Sequence, residues 1–79
     1  MSTSAAKPTV ALASKVWFDS AMLHVRLADG REIAVPLEWF PRLRDATEED
    51  RKRWRLVGGG IGIHWEALDE DISIVGLLS

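Results

Sequence analysis

The sequence predicts an α+β fold, in which an antiparallel three-stranded meander and one further strand pack with one short helix and a C-terminal turn. Between Val16 and Val35, apolar residues alternate with polar ones, which is the period of strands that bury one face. The dipeptide Asp29-Gly30 interrupts this alternation with the composition of a hairpin turn. The segment Thr47–Arg55 begins with a favourable N-cap and runs from acidic to basic residues, as a helix does. These three patterns place strands and a helix in one small domain.

The length and composition indicate a single globular domain. The chain has 79 residues and no cysteine, so its core has to form without disulfides. Residues 1–13 are small and polar and predict a flexible N-terminal tail, which leaves residues 14–79 as the α+β domain. No apolar run approaches the length of a membrane span, and no leader with a cleavage site is recognisable. The expected location is therefore the cytoplasm.

The length of the hairpin loop decides which residues share a face of the meander. A two-residue loop would place Ile33 on the face opposite Val25, whereas a three-residue loop over Ala28–Gly30 places the two side by side. Because one continuous apolar face is needed for the core, we predict the three-residue loop with Gly30 in a left-handed conformation. Pro36 lacks an amide hydrogen and is expected to end the third strand.

The segment Gly58–Ile72 is the most constrained part of the chain. Ile61, Ile63 and Trp65 alternate with smaller or polar residues, which predicts a strand with Trp65 in the core. The following stretch Leu68–Ile72 encloses three acids between two apolar residues and is predicted to be an anchored acidic turn. The C-terminal residues after Ser73 are predicted to form a docked turn of helix.

Charge is distributed unevenly along the chain, although the net charge is only -2. Six of the ten basic residues form the basic segment 42–55, namely Arg42, Arg44, Arg51, Lys52, Arg53 and Arg55. Four acids in the same segment favour a solvated helix with local ion pairs over a surface that binds nucleic acid. Nucleic-acid binding by the basic segment stays as an alternative that is not favoured. Beyond His64 the chain carries four acids and no base.

The sequence offers no recognisable catalytic constellation. His64 and the acids that follow it (Glu66, Asp69, Glu70 and Asp71) could in principle bind a metal or transfer protons. One histidine among clustered carboxylates is not a known zinc spacing, however. Gly58–Gly62 is followed by a strand and lacks the residues of a phosphate-binding loop. We therefore predict no enzymatic activity, no metal and no cofactor. A small-ligand or metal-dependent enzyme centred on His64 is kept as an alternative.

Four tryptophans are many for a chain of this length. Trp17 lies opposite Val16 and Phe18 across its strand and is a candidate for exposure. Trp39 is a second candidate, although the pair Trp39-Phe40 could also plug the sheet. Exposed aromatic residues are typical anchors of protein–protein interfaces.

The chain resembles a family of small bacterial proteins known as domain of unknown function 2442. Four stretches carry the resemblance, in order along the chain: Leu27–Arg31, Val35–Leu43, Ala46-Thr47 and Gly60–Ser73. They span nearly everything from Val16 onward. Two positions depart from the family pattern, because Glu66 stands where a proline is frequent and Val75 where a polar residue is usual.

The resemblance implies a small α+β domain that acts as the antitoxin-like half of a two-gene toxin–antitoxin pair, bound to a protein encoded by the adjacent gene. It supplies no catalytic residue. Combined with the exposed aromatics and the segregated charge, it suggests a non-enzymatic protein-binding module. The residues expected at the interface are Trp17, Trp39, Arg42, Arg44, Arg51, Arg55, His64, Glu66, Asp69, Glu70 and Asp71.

Overall fold

The computed structural model describes residues 11–78 of the chain. Its strands are β1 (Ala13–Phe18), β2 (Met22–Leu27), β3 (Glu32–Pro36), β4 (Trp54–Val57), β5 (Gly62–Trp65) and β6 (Glu70–Ser73). Its helices are α1 (Pro41–Arg44), α2 (Glu48–Arg51) and α3 (Ile74–Leu78). Three single 3-10 turns lie at Leu37–Trp39, Gly58–Gly60 and Glu66–Leu68. Residues 1–10 of the predicted tail lie outside the described residues, and Ala13 already belongs to β1.

The first sheet is the predicted antiparallel meander, with the strand order β1-β2-β3. Val25 lies opposite Ile33 and Leu23 opposite Val35, as the three-residue loop requires. Gly30 has a φ angle of +98°, which confirms its left-handed conformation. The register gives the meander one apolar face, on which Leu23 and Val25 are fully buried. The third strand ends at Pro36, as predicted.

A second antiparallel sheet, with the order β4-β5-β6, replaces the single further strand of the prediction. The predicted helix begins correctly, because Thr47 Oγ1 accepts a hydrogen bond of 3.1 Å from the Asp50 amide. It ends at Arg51 instead of Arg55, and Trp54–Val57 forms β4. The helical prediction was wrong for these last residues, where the order of charges had extended the helix to Arg55. Pairing with β5, which sets Trp54 opposite Trp65, outweighs a weak local helix preference.

The predicted acidic turn is also partly a strand. Asp69 has a φ angle of +51° and completes the turn, after which Glu70–Ser73 forms β6. The reason is the alternation of Ile72 with its polar neighbours, which allows Ile72 to face Ile63 across the sheet. The predicted C-terminal helix turn is confirmed as α3, and Ser73 Oγ accepts a hydrogen bond of 3.0 Å from the Gly76 amide at its start.

The two sheets share one core, at the centre of which lies Trp65. Its side chain is fully buried, and its indole Nε1 donates a hydrogen bond of 3.0 Å to the Arg51 carbonyl oxygen. Phe18 of the first sheet meets the Trp65 ring edge to face, with 6.3 Å between ring centroids. The sheets also approach where the Gly60 backbone lies against Ala13 of β1. Among the described residues, no helix is long and apolar enough to cross a membrane.

Candidate protein-interaction site

Trp39 is the most exposed aromatic residue of the described chain, with 64% of its surface accessible. It lies in the 3-10 turn after β3, where the Leu37 amide donates a hydrogen bond of 2.9 Å to the Ala21 carbonyl. Leu37 is buried, and Phe40 packs against the core. Of the pair Trp39-Phe40, only Phe40 therefore packs on the sheet as predicted, and Trp39 points outward. Leu37 and Phe40, on either side of Trp39, anchor the backbone of this turn in the core.

The charges next to Trp39 neutralise one another. Arg44 donates to Glu38 at 3.1 Å and to Asp45 at 2.9 Å. The hydrogen bond to Asp45 is the main reason that the pKa of Arg44 is raised, and the same contact lowers the pKa of Asp45. Arg42 donates to the Asp69 carbonyl oxygen, which joins α1 to the turn before β6. The surroundings of the exposed indole therefore carry little net charge.

The remaining residues of the basic segment differ in their partners. Arg51 donates to the carbonyl oxygens of Leu43 and Arg44 at 2.7 and 2.6 Å, so it holds α1 against α2. Arg53 lies 3.8 Å from Glu49, and Arg55 belongs to β4. Lys52 has no ion-pair partner within residues 11–78. The arrangement agrees with the interpretation of a solvated segment with local ion pairs.

His64 lies in a row of charged side chains that crosses the second sheet on its outer face. Arg55, His64 and Asp71 are direct cross-strand neighbours on β4, β5 and β6. The imidazole Nδ1 lies 2.6 Å from Asp71 Oδ1, and Nε2 lies 3.2 Å from Glu66 Oε1. Arg55 reaches the same Glu66 oxygen at 3.4 Å. The charged side chains of this row therefore pair with one another.

The hydrogen bond that His64 donates to the Asp71 carboxylate raises the pKa of His64, and partial burial opposes this shift. Both ring nitrogens already contact carboxylate oxygens, so neither is available to a substrate or a metal without breaking a contact. In the described part of the chain, no group of three or more histidines and acids is arranged to hold a metal ion. The contacts link side chains of three neighbouring strands, β4, β5 and β6.

The acids predicted to form one cluster are divided between surfaces. Asp71 and Glu66 belong to the row around His64, whereas Asp69 occupies the left-handed position of the turn. Glu70 is half-buried and lies opposite Trp65 on the face of the sheet toward the core. A strand in place of the predicted turn separates neighbouring side chains onto opposite faces.

Trp17 is half-buried rather than fully exposed, because it belongs to a cluster on the outer face of the first sheet. Its indole stacks on the His24 ring at 5.3 Å with an interplanar angle of 6°. The charged groups of Lys15 and Arg26 lie 5.7 and 5.5 Å from the same indole. His24 had been assigned no role from the sequence. The strand register, which sets it opposite Trp17, could have indicated the contact.

Asp19 extends this cluster into the loop after β1. Its carboxylate accepts hydrogen bonds of 2.8 Å from the amides of Ala21 and Met22 and lies 2.7 Å from His24 Nε2. The contact with His24 is the largest cause that lowers the pKa of Asp19 to about 2. The loop is therefore held in a fixed shape.

A groove of about 370 Å³ lies between β1 and α2, and sequence reasoning did not predict it. Its lining residues come from three separate parts of the chain: Val16, Trp17, Phe18, Asp19, Ser20, Glu48, Arg51, Lys52 and Trp54. No local pattern could have indicated it, because it forms only when the two sheets pack together.

The fold and these surfaces define a small two-sheet α+β domain, in which Trp39 is the exposed aromatic residue of the described chain. The chain belongs to the family described as "Protein of unknown function (DUF2442)", whose model matches residues 13–79, as the sequence resemblance indicated. A crystal structure at 2.75 Å of a protein of unknown function from Rhodospirillum rubrum ATCC 11170 is similar, with 33% identity and a TM-score of 0.76. The match covers 89% of this chain and 87% of that one. No curated protein matches the chain significantly.

Proposed function

We propose that this protein is a non-enzymatic binding module, the antitoxin-like half of a two-protein pair that acts in the cytoplasm. Its partner is a protein encoded by the adjacent gene, and it acts by covering the functional surface of that partner. The observation that carries this proposal is the exposed indole of Trp39, which projects from a turn anchored in the core. Large aromatic side chains of this kind supply much of the free energy of binding at protein interfaces.

The surroundings of Trp39 support protein binding over nucleic-acid binding. Arg44 is neutralised by Glu38 and Asp45, and Arg51 is bound to backbone carbonyl oxygens. A surface that binds phosphates would present several cations without local counterions. An aromatic anchor bordered by neutralised charges is instead typical of a protein interface, where paired groups at the rim exclude water.

The acidic side of the second sheet gives the interaction its orientation. Glu66 and Asp71 keep most of their surface exposed while they contact His64. No lysine or arginine follows Arg55 in the chain. A partner that carries a basic patch beside an apolar pocket would match both this acidic side and Trp39, and the charges would mainly accelerate association.

Co-expression with the product of the adjacent gene tests the proposal. We expect a stable complex in pull-down and size exclusion, and growth arrest when the neighbouring protein is expressed alone. Trp39→Ala should weaken the complex by about 30-fold, which corresponds to the loss of a hot-spot residue worth about 2 kcal/mol. Val75→Ala is the matched control, because Val75 is apolar and equally exposed at 64%.

Two results would contradict the proposal. The first is that the protein elutes alone and the neighbouring protein is harmless. The second is a complex that Trp39→Ala and Val75→Ala weaken equally, because the indole would then not be the anchor. Measuring the affinity at two salt concentrations separates protein from nucleic-acid partners, since phosphate contacts lose affinity steeply with salt.

A further inference from the structure

β1 is an edge strand of the first sheet, and only part of its outer edge is covered. Near its start, the Gly58–Gly60 turn lies so close that a Cβ on Gly60 would be 2.6 Å from the Ala13 carbonyl oxygen. Further along, from Val16 onward, no strand pairs with the outer edge of β1 in the described chain. The groove between β1 and α2 occupies this position instead.

The groove runs along the edge of the strand rather than over one of its faces. Val16 faces the core and Trp17 faces outward, yet both line the groove. The Asp19 amide donates to the Met22 carbonyl at 3.1 Å, and antiparallel pairs exchange hydrogen bonds only at alternate residues. Trp17 is therefore bonded toward β2, and the amide and carbonyl groups of Val16 and Phe18 are directed toward the groove. These groups match the backbone of another extended segment.

The side chains around this edge select an apolar and uncharged occupant. Aromatic rings line the groove at Trp17, Phe18 and Trp54, each of them half-buried and accessible from the groove. The charged lining residues balance, because the acids Asp19 and Glu48 accompany the bases Arg51 and Lys52. A charged ligand would gain little from such a lining, whereas an aliphatic or aromatic side chain would contact the rings.

We propose that this groove receives an extended, apolar segment of a partner protein, which adds to β1 as a further strand. The backbone of the segment pairs with Val16 and Phe18, and alternate side chains enter the groove between Trp17 and Trp54. The inference rests on the proposed function as a binding module. The inference adds a second contact, separate from Trp39. It also specifies the kind of segment that this contact binds.

Panning a phage library of random heptapeptides against the full chain tests the proposal. We expect the selected peptides to be rich in β-branched and aromatic residues. Ser20→Phe, which adds bulk at an exposed position of the groove, should weaken the binding of a selected peptide at least about 10-fold. Ala28→Phe adds the same bulk at the exposed hairpin tip and should change the affinity for the peptide less than about 2-fold. Trp39→Ala should also change this affinity less than about 2-fold.

Backbone pairing is tested by methylating each amide nitrogen of a selected peptide in turn. Methylation should abolish binding at every second position only, because alternate amides face β1. The affinity should change less than about 2-fold between about 0.05 and 0.5 M salt, since the lining is charge-balanced.

Failure to select any peptide, a methylation scan without a two-residue period, or equal effects of Ser20→Phe and Ala28→Phe would each overturn the proposal. Peptides that depend on Trp39 rather than on Ser20 would place the site at the indole and would leave the proposed function intact. Peptides that meet every expectation, together with a neighbouring protein that does not bind, would support the groove and refute the toxin–antitoxin pairing.

Discussion

Gly60 is the position at which a single methyl group should damage the fold most. Its φ angle is +112°, which side chains with a Cβ rarely adopt, and an added Cβ would lie 2.6 Å from the Ala13 carbonyl oxygen and 3.0 Å from the Ala13 nitrogen. Both neighbours are backbone atoms of β1 and cannot rotate away. Gly59 also has a positive φ angle, +70°, but nothing lies within 4 Å of its added Cβ. Comparing the stabilities of Gly59→Ala and Gly60→Ala therefore separates the cost of the left-handed backbone conformation from the cost of the close contact with β1.

The expected free energies follow from these geometries. Gly59→Ala should lower the free energy of unfolding by about 1 kcal/mol, because the left-handed conformation costs an alanine about 1–2 kcal/mol and reduced freedom of the unfolded chain offsets part of this. Gly60→Ala should carry the same conformational cost and should also displace β1. Overpacked substitutions in protein cores suggest that this displacement costs about 1–3 kcal/mol more. A total of about 3 kcal/mol is large against the about 4–12 kcal/mol expected for 79 residues.

Urea denaturation followed by tryptophan fluorescence measures these free energies, and thermal denaturation measures the corresponding shifts in Tm. Gly60→Ala should lower Tm by about 12–24 °C and Gly59→Ala by about 4–8 °C. Gly30→Ala is a second control, since Gly30 has a φ angle of +98° and open space around its added Cβ. If Gly60→Ala is no less stable than Gly59→Ala, the turn does not lie against β1 as described, and the covered half of the β1 edge would have to be reassigned.

Three further predictions concern individual contacts. The raised pKa of His64 means that its contribution to stability is complete below the ordinary value of 6.5 and is lost as the pH rises through the raised pKa. His64→Gln should therefore destabilise the protein more at about pH 6 than at about pH 9 in urea titrations. Thr47→Ala should cost about 1 kcal/mol through loss of the cap on α2, measured by the shift in urea midpoint. Trp65→Ala should lower the free energy of unfolding by about 3–5 kcal/mol, measured by urea denaturation followed by circular dichroism, because the indole is fully buried.

The meander was predictable because its signals are local and agree with one another. The alternation around Val25, the loop at Ala28–Gly30 and the stop at Pro36 each lie within a few residues of the contacts that they determine. A register error of one residue would have exposed the whole apolar face, so only one loop length was consistent. The N-cap at Thr47 and the strand ending at Trp65 were likewise specified locally.

The second sheet was mostly missed because its edge strands are short and charged. β4 reads Trp-Arg-Leu-Val and β6 reads Glu-Asp-Ile-Ser, so each offers only one full alternation. Their strand conformation depends on pairing with β5, which sequence order alone does not reveal. The missed strands also changed the candidate site, since a strand distributes Glu70 and Asp71 to opposite faces where a turn would have kept them together.

The same pairing explains why charge is a poor guide to what this domain binds. In sequence, the basic segment 42–55 and the acids after His64 look like two opposed patches. In the fold, Arg55 pairs with Glu66, and Arg42 donates to the backbone carbonyl oxygen of Asp69, so residues of the two sets lie next to each other. Among the described residues, the bulkiest exposed apolar side chain is that of Trp39. Recognition should then depend on burial of aromatic surface, and salt should weaken the affinity for the partner only modestly, through a lower association rate.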